Sequence, residues 1–121
     1  MISKYVLNIM FYFFLISFVI TFTINPGIPE RKYYSKNKDK KNYSKCKKCN
    51  ILAPTELNIG HCIDCDICIK GHDHHCSWVG KCIGKRNIIF FYFFITGFLG
   101  FILTLLYITF ISFFRFSRKN A

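Results

Sequence analysis

Two uncharged apolar runs on either side of a basic, cysteine-rich middle predict an α-helical membrane protein. Its expected form is two transmembrane helices flanking a small cysteine-rich loop domain with short β-hairpins. Three observations carry this. Tyr5 to Ile24 and Ile88 to Phe114 contain no charged residue, and each can span ~30 Å of hydrocarbon as a helix. All 7 cysteines and all 4 histidines fall between Cys46 and Cys82. Of 17 Lys and Arg residues in a chain of net charge +11, 13 lie between Asn25 and Asn87. By the positive-inside rule that asymmetry puts the middle segment in the cytosol.

The two runs take 47 of the 121 residues. The remainder is too short to bury a sizeable water-soluble core, so a staple such as a metal is expected. A reducing cytosol disfavours disulfides, and an odd number of cysteines cannot fully pair. Metal binding or thiol chemistry is the expected use.

In chain order, residues 1–4 are a short polar start and 5–24 the first transmembrane helix. A cleaved signal peptide is the competing reading of that run. Its length, the single Lys4 before it and the lack of a small-x-small site argue against that reading. Asn25-Pro26-Gly27-Ile28-Pro29 ends the helix, because Pro cannot continue it and Gly permits unusual backbone angles. Residues 25–45 form a basic linker with Lys36, Lys38, Lys40 and Lys41, and Tyr33 and Tyr34 suit the headgroup level. Asn42-Tyr43-Ser44 matches a glycosylation acceptor, which a cytosolic loop leaves unmodified. Asn50 to Gly60 reads as a loop with little helix, given Pro54 and Gly60. From His61 to Cys82 short hairpins and turns are expected, shaped by metal. Beyond C-x2-C, no internal repeat is read. Residues 88–114 form the second helix, with Gly97 and Gly100 as places for close helix contact and lipid contact as the plain reading of its many aromatics. Residues 115–121 are a basic tail.

The ligand count is informative. Cys46-x2-Cys49 is a knuckle spacing, in which a tight turn converges two sulfurs on one ion. His61, Cys62, Cys65, Cys68, His75 and Cys82 complete eight candidates, enough for two tetrahedral zinc sites. Neighbours in extended chain point to opposite faces, so His61 and Cys62 suit different ions. That predicts interleaved sites, Cys46, Cys49, His61 and Cys68 for one, and Cys62, Cys65, His75 and Cys82 for the other. Spacing leaves other choices open, since His72, His74 and Cys76 also carry ligand atoms. Cys76 is the natural leftover thiol, with His74 as a nearby imidazole and Asp73 to orient it. Its plain alternative is a further zinc ligand.

These residues resemble a known family. Cys46-x2-Cys49, His61-Cys62-x2-Cys65-x2-Cys68, Asp73-His74-His75-Cys76, Cys82 and Asn87 look like the cysteine-rich domain of the DHHC family of protein S-acyltransferases. Trp78, Gly80 and Cys82-Ile83-Gly84 fall where that family places such residues, and Asn25-Pro26-Gly27 resembles its Asp-Pro-Gly motif. The resemblance covers residues 5–114. It implies that Cys76 attacks a long-chain acyl-CoA, usually palmitoyl-CoA, with His74 as base and Asp73 steering it. The acyl group then passes to a cysteine of a substrate protein. It also implies two structural zinc ions held by the partition above, and an acyl chain that starts near Trp78. Charge and proximity suggest Lys81, Lys85 and Arg86 for the cofactor's phosphates.

The departures are Ser77 for the family's Pro, Asn25 for its Asp, and eleven residues between Cys49 and His61 where the family usually has nine. The stretch Ala53-Pro54-Thr55-Glu56 replaces a basic one, and a looser hairpin at the first zinc site is expected. The family's four membrane helices have counterparts here of the second and third only, so the chain reads as partial. The reading is a palmitoyltransferase in an endomembrane, Golgi or endoplasmic reticulum, with its cysteine-rich loop in the cytosol. The membrane, acyl-CoA and proteins with cytosolic cysteines are its expected partners, and nucleic acid is not. A catalytically inert zinc-binding membrane adaptor is the alternative.

Overall fold

The computed structural model describes residues 2–29 and 43–120. Most of the expected basic linker, including Tyr33, Tyr34 and Asn42, lies outside the described residues. The elements run α1 (Ile2–Thr23), β1 (Tyr43–Cys46), β2 (Ile51–Pro54), a 3-10 turn (Thr55–Leu57), β3 (Ile59–Cys62), β4 (Ile67–Lys70), β5 (His74–Cys76), β6 (Lys81–Ile83) and α2 (Ile88–Asn120). Both helices are long and apolar enough to cross a membrane. They flank a cysteine- and histidine-rich region built of short antiparallel hairpins, and α2 continues past Phe114 through the basic residues to Asn120.

The chain forms two compact units. One holds α1 up to Val19 and α2 from Phe90. Its aromatics interlock: the Phe14 ring lies 5.5 Å from Phe94 and 5.6 Å from Phe98, and Phe18 lies 5.6 Å from Phe94. Several rings first read as lipid contacts therefore line the helix–helix seam. Gly97 is what lets the backbones approach. A Cβ there would sit 2.8 Å from Phe13 Cδ1 and 3.0 Å from Phe14 Cα. Such close approach at small residues is how apolar helices associate without a hydrophobic driving force.

The other unit, Ile20–Ile89, contains three two-stranded antiparallel sheets, β1–β2, β3–β4 and β5–β6. In each, a four-residue turn joins facing residues: Cys46 to Ile51, Cys62 to Ile67 and Cys76 to Lys81. In each, the last turn residue takes the left-handed conformation, Asn50 at φ 51°, Asp66 at φ 51° and Gly80 at φ 69°. Asn, Asp and Gly are the residues that adopt it most cheaply. The three hairpins are thus copies of one form. Between the second and third the copy is also visible in the residues, His61-Cys62-x2-Cys65-x2-Cys68 against His75-Cys76-x2-Val79-x2-Cys82. This repeat goes beyond the C-x2-C spacing, and Val79 conceals it.

The core of this unit is built on its thiols. Ile51, Ala53 and Cys68 form one buried cluster, with Cys46, Cys49 and Ile59 against it. Cys62, Ile69 and Cys82 form another, with Cys65 and Ile67 against it. The first hairpin is not the looser one expected, since its turn matches the other two in length and in its left-handed end. A 3-10 turn follows β2, closed where the Asn58 N–H donates to Thr55 O at 3.0 Å.

The turn after α1 is seated within the same unit. Asn25 Oδ1 accepts from the N–H groups of Gly27 and Ile28 at 2.8 and 2.9 Å. Gly27, at φ 118°, then presents its carbonyl to the N–H of Lys70 at 2.9 Å. The Arg86 N–H donates to Pro26 O at 3.3 Å. Before α2, Asn87 is fully buried, accepting from the Gly84 N–H at 2.9 Å and donating to Cys82 O at 3.1 Å. It ties the last strand to the start of the helix.

Candidate functional site

Strand alternation sorts the chemistry. On β5, His74 and Cys76 share one face, and His75 takes the other. On β3, His61 and Cys62 likewise diverge. Across each hairpin, His61 faces Cys68 and His75 faces Cys82.

Two groups of ligand atoms result. Cys46, Cys49, His61 and Cys68 converge, as do Cys62, Cys65, His75 and Cys82, with all ligand atoms of a group within 4.8 Å of one another. In the first group the three sulfurs lie 3.6, 3.3 and 3.9 Å from His61 Nδ1. In the second they lie 3.7, 3.3 and 3.6 Å from His75 Nδ1. A tetrahedral zinc with its usual bond lengths requires S···N edges of about 3.6 Å. The donor sets therefore fit zinc in both chemistry and size. Each knuckle is closed by a backbone N–H aimed at sulfur, Cys49 to Cys46 Sγ at 3.5 Å and Cys65 to Cys62 Sγ at 3.4 Å. His61 Nε2 lies 3.3 Å from Asp66 Oδ1 without hydrogen-bond alignment, a carboxylate close by the outer nitrogen of a candidate ligand.

Without an ion the thiols divide the charge unequally. The Cys49 N–H holds the Cys46 thiol below its ordinary value. Burial pushes Cys68 up to about 12, helped by the neighbouring Cys46 and Cys49. In the second group burial raises Cys82 strongly, helped by Cys62 and Cys65. Burial also acts against Cys62, but the N–H of Cys65 and the neighbouring Cys82 and His75 outweigh it and lower that thiol. Three thiolates cannot share so small a space unless a cation joins them.

Cys76 belongs to neither group. It is buried, 6 % exposed, at the end of β5. His74 Nδ1 lies 2.8 Å from Asp73 Oδ2. With Nδ1–H donating to the carboxylate, Nε2 is the basic nitrogen. A thiol, an imidazole on the same strand face and an orienting carboxylate can carry out nucleophilic acyl transfer.

The remaining predicted residues scatter along the third hairpin and beyond. Trp78 is 80 % exposed in the β5–β6 turn. Lys81 faces Cys76 across the hairpin, and its ammonium donates to the carbonyls of Phe22 and Ile24 at 2.6 and 2.9 Å. Those are among the orphan carbonyls at the end of α1, where a cation is favoured. Two of its three donors are thus committed there. Lys85 and Arg86 are exposed just before α2. Lys81's grip on α1, across 57 positions, had no signal in the sequence.

The DHHC palmitoyltransferase family model matches residues 37–121. The chain belongs to that family. Among curated relatives, it is 42% identical to palmitoyltransferase ZDHHC9 of Homo sapiens over 74 residues, 61% of this chain and 16% of that one. It is 52% identical to palmitoyltransferase ZDHHC14 of Homo sapiens over 50 residues, 41% of this chain and 10% of that one. With palmitoyltransferase ZDHHC18-B of Danio rerio it shares 51% over 51 residues, 42% of this chain and 13% of that one. The chain spans about a sixth or less of the length of these DHHC relatives. Both zinc-sized clusters, Asp73 and the His74–Cys76 strand lie inside the stretch that the family model matches.

Proposed function

We propose that this chain carries the catalytic core of a protein S-acyltransferase. The observation that carries the reading is Cys76, outside both ligand groups and sharing a strand face with His74, whose ring is held by Asp73. Nε2 of His74 takes the Cys76 thiol proton as Sγ attacks the thioester carbonyl of a long-chain acyl-CoA. The carbon–sulfur bond to CoA breaks, and CoA leaves as its thiol with the proton from His74. A substrate protein's cysteine then attacks the acyl–Cys76 thioester. Its proton passes through His74 to the departing Cys76 sulfur, which regenerates the thiol.

Two zinc ions, one in each four-ligand group, are structural: their ligand sets are closed, with no position for a reacting water. The domain is residues 46–87. The helices over 5–24 and 88–114 cross a membrane, which brings a lipid donor to the thiol, and the basic residues keep the domain on the cytosolic side of an endomembrane. Trp78 meets the start of the acyl chain. Lys85 and Arg86 meet the phosphates of CoA, with the third donor of Lys81 also available to an anion.

The test is covalent uptake of a labelled long-chain acyl-CoA by the zinc-loaded chain, with metal analysis on the same sample. Cys76→Ser is expected to take up no label and to keep about two zinc ions. Equal labelling of Cys76→Ser rejects Cys76 as the acyl carrier. Loss of zinc from it makes Cys76 a ligand, and an unlabelled wild-type chain holding both ions supports the adaptor instead.

A further inference from the structure

The three hairpins hand ligands to one another in series. The first supplies the knuckle Cys46/Cys49, and the second completes that group with its cross-strand pair His61/Cys68. The second supplies the knuckle Cys62/Cys65, and the third completes it with His75/Cys82. The third hairpin repeats the knuckle turn as well. Its turn has the same length and ends in the same left-handed conformation, and Cys76 stands where Cys46 and Cys62 stand. Where Cys49 and Cys65 stand, it has Val79, buried at 2 % exposure.

We propose that Val79 is a positioning residue that keeps Cys76 a nucleophile by withholding the second sulfur of a third knuckle. The turn's length and its left-handed end are repeated in the third hairpin, with a valine at the second donor's place and, among the described residues, no further hairpin to complete a group. A lone thiol gives a soft cation one contact, whereas a knuckle gives it two at a fixed separation. The same turn serves the opposite purpose here, holding one sulfur rigidly and apart from metal. The consequence for catalysis rests on the acyl-carrier reading of Cys76, but the prediction about metal does not.

The test uses the full chain loaded with zinc. Wild type, Val79→Cys, Val79→His and Val79→Ala are compared for bound zinc by native mass spectrometry. Acyl uptake is followed at high free zinc and at free zinc buffered low enough to keep only the two four-ligand groups filled. Val79→Cys is expected to bind a third equivalent, with Val79→His acting in the same direction. Its labelling at high zinc is expected to fall about tenfold and to return at low zinc, as mass action requires. Val79→Ala removes comparable volume without a donor, and it is expected to keep two equivalents and no zinc sensitivity. If neither Val79→Cys nor Val79→His gains metal, the proposal is overturned. A third equivalent in a chain whose wild type takes up no label would uphold the half-knuckle and reject the acyl-carrier reading.

Discussion

Asp73 and His74 are joined by one short contact between side chains that are 51% and 40% exposed. Such a pair contributes at most about 1 kcal/mol to stability, so its worth is orientation. Asp73→Ala should therefore leave the zinc content and thermal stability nearly unchanged and slow acyl uptake by about a hundredfold or more, as loss of an oriented base does. Uptake rates beside a melting curve decide this. Gly80 offers a second single-residue test. Because Asn50 and Asp66 occupy the same turn position at φ 51° and 51°, Gly80→Asn should be well tolerated. Among the described residues nothing lies within 4 Å of a Cβ at Gly80, so the cost of Gly80→Val is chiefly the strain of its backbone angle. That strain is about 1–2 kcal/mol and is measurable in denaturant.

The elements differ in how far their residues announce them. The helices follow from uncharged length, and the divergence of His61 and Cys62 follows from strand alternation, so two four-ligand groups are legible from spacing. What spacing cannot supply is contact between residues far apart in the chain. Lys81 reads as a phosphate ligand by charge, and its two hydrogen bonds to the end of α1 have no counterpart in that reading. The first hairpin reads as looser than the others, yet its turn has their length and their left-handed end, and a 3-10 turn follows it. The third hairpin reads as a motif, whereas the backbone shows it to be a copy of the other two. In the helical unit, Gly97 is where a side chain is least welcome: two of the atoms it would meet belong to Phe14's backbone, which cannot swing aside. Gly97→Ala should cost about 1–3 kcal/mol, read as a lowered melting temperature in detergent with zinc content unchanged.

Across the whole molecule, the serial sharing of ligands makes the two metal groups unequal. The first joins the first hairpin to the second, and the second joins the second to the hairpin that carries Cys76. Cys62→Ala should accordingly depress acyl uptake more than Cys46→Ala, though each loses one ion; paired metal and label measurements compare them. Acidity gives a further global handle. In the metal-free fold Cys68 is raised to about 12 against an ordinary 9.0, so the folded chain holds that proton more tightly than the unfolded chain does. The stabilisation is complete below pH 9 and is lost as pH rises toward about 12. A chelated sample should thus lose its β-structure by circular dichroism across that window. The zinc-loaded sample should keep it, because the ion has replaced the proton, and its zinc affinity should climb with pH.

The turn at Pro26 and Gly27 carries a consequence for hydrogen exchange. It accepts the amides of both Lys70, at the end of β4, and Arg86, in the connection from β6 to α2. Both amides donate to carbonyls of that one short segment, so both depend on it staying in its seat. Their deuterium uptake should rise and fall together, as one cooperative opening, whenever that segment lifts. Exchange at these two positions would clock that lifting directly.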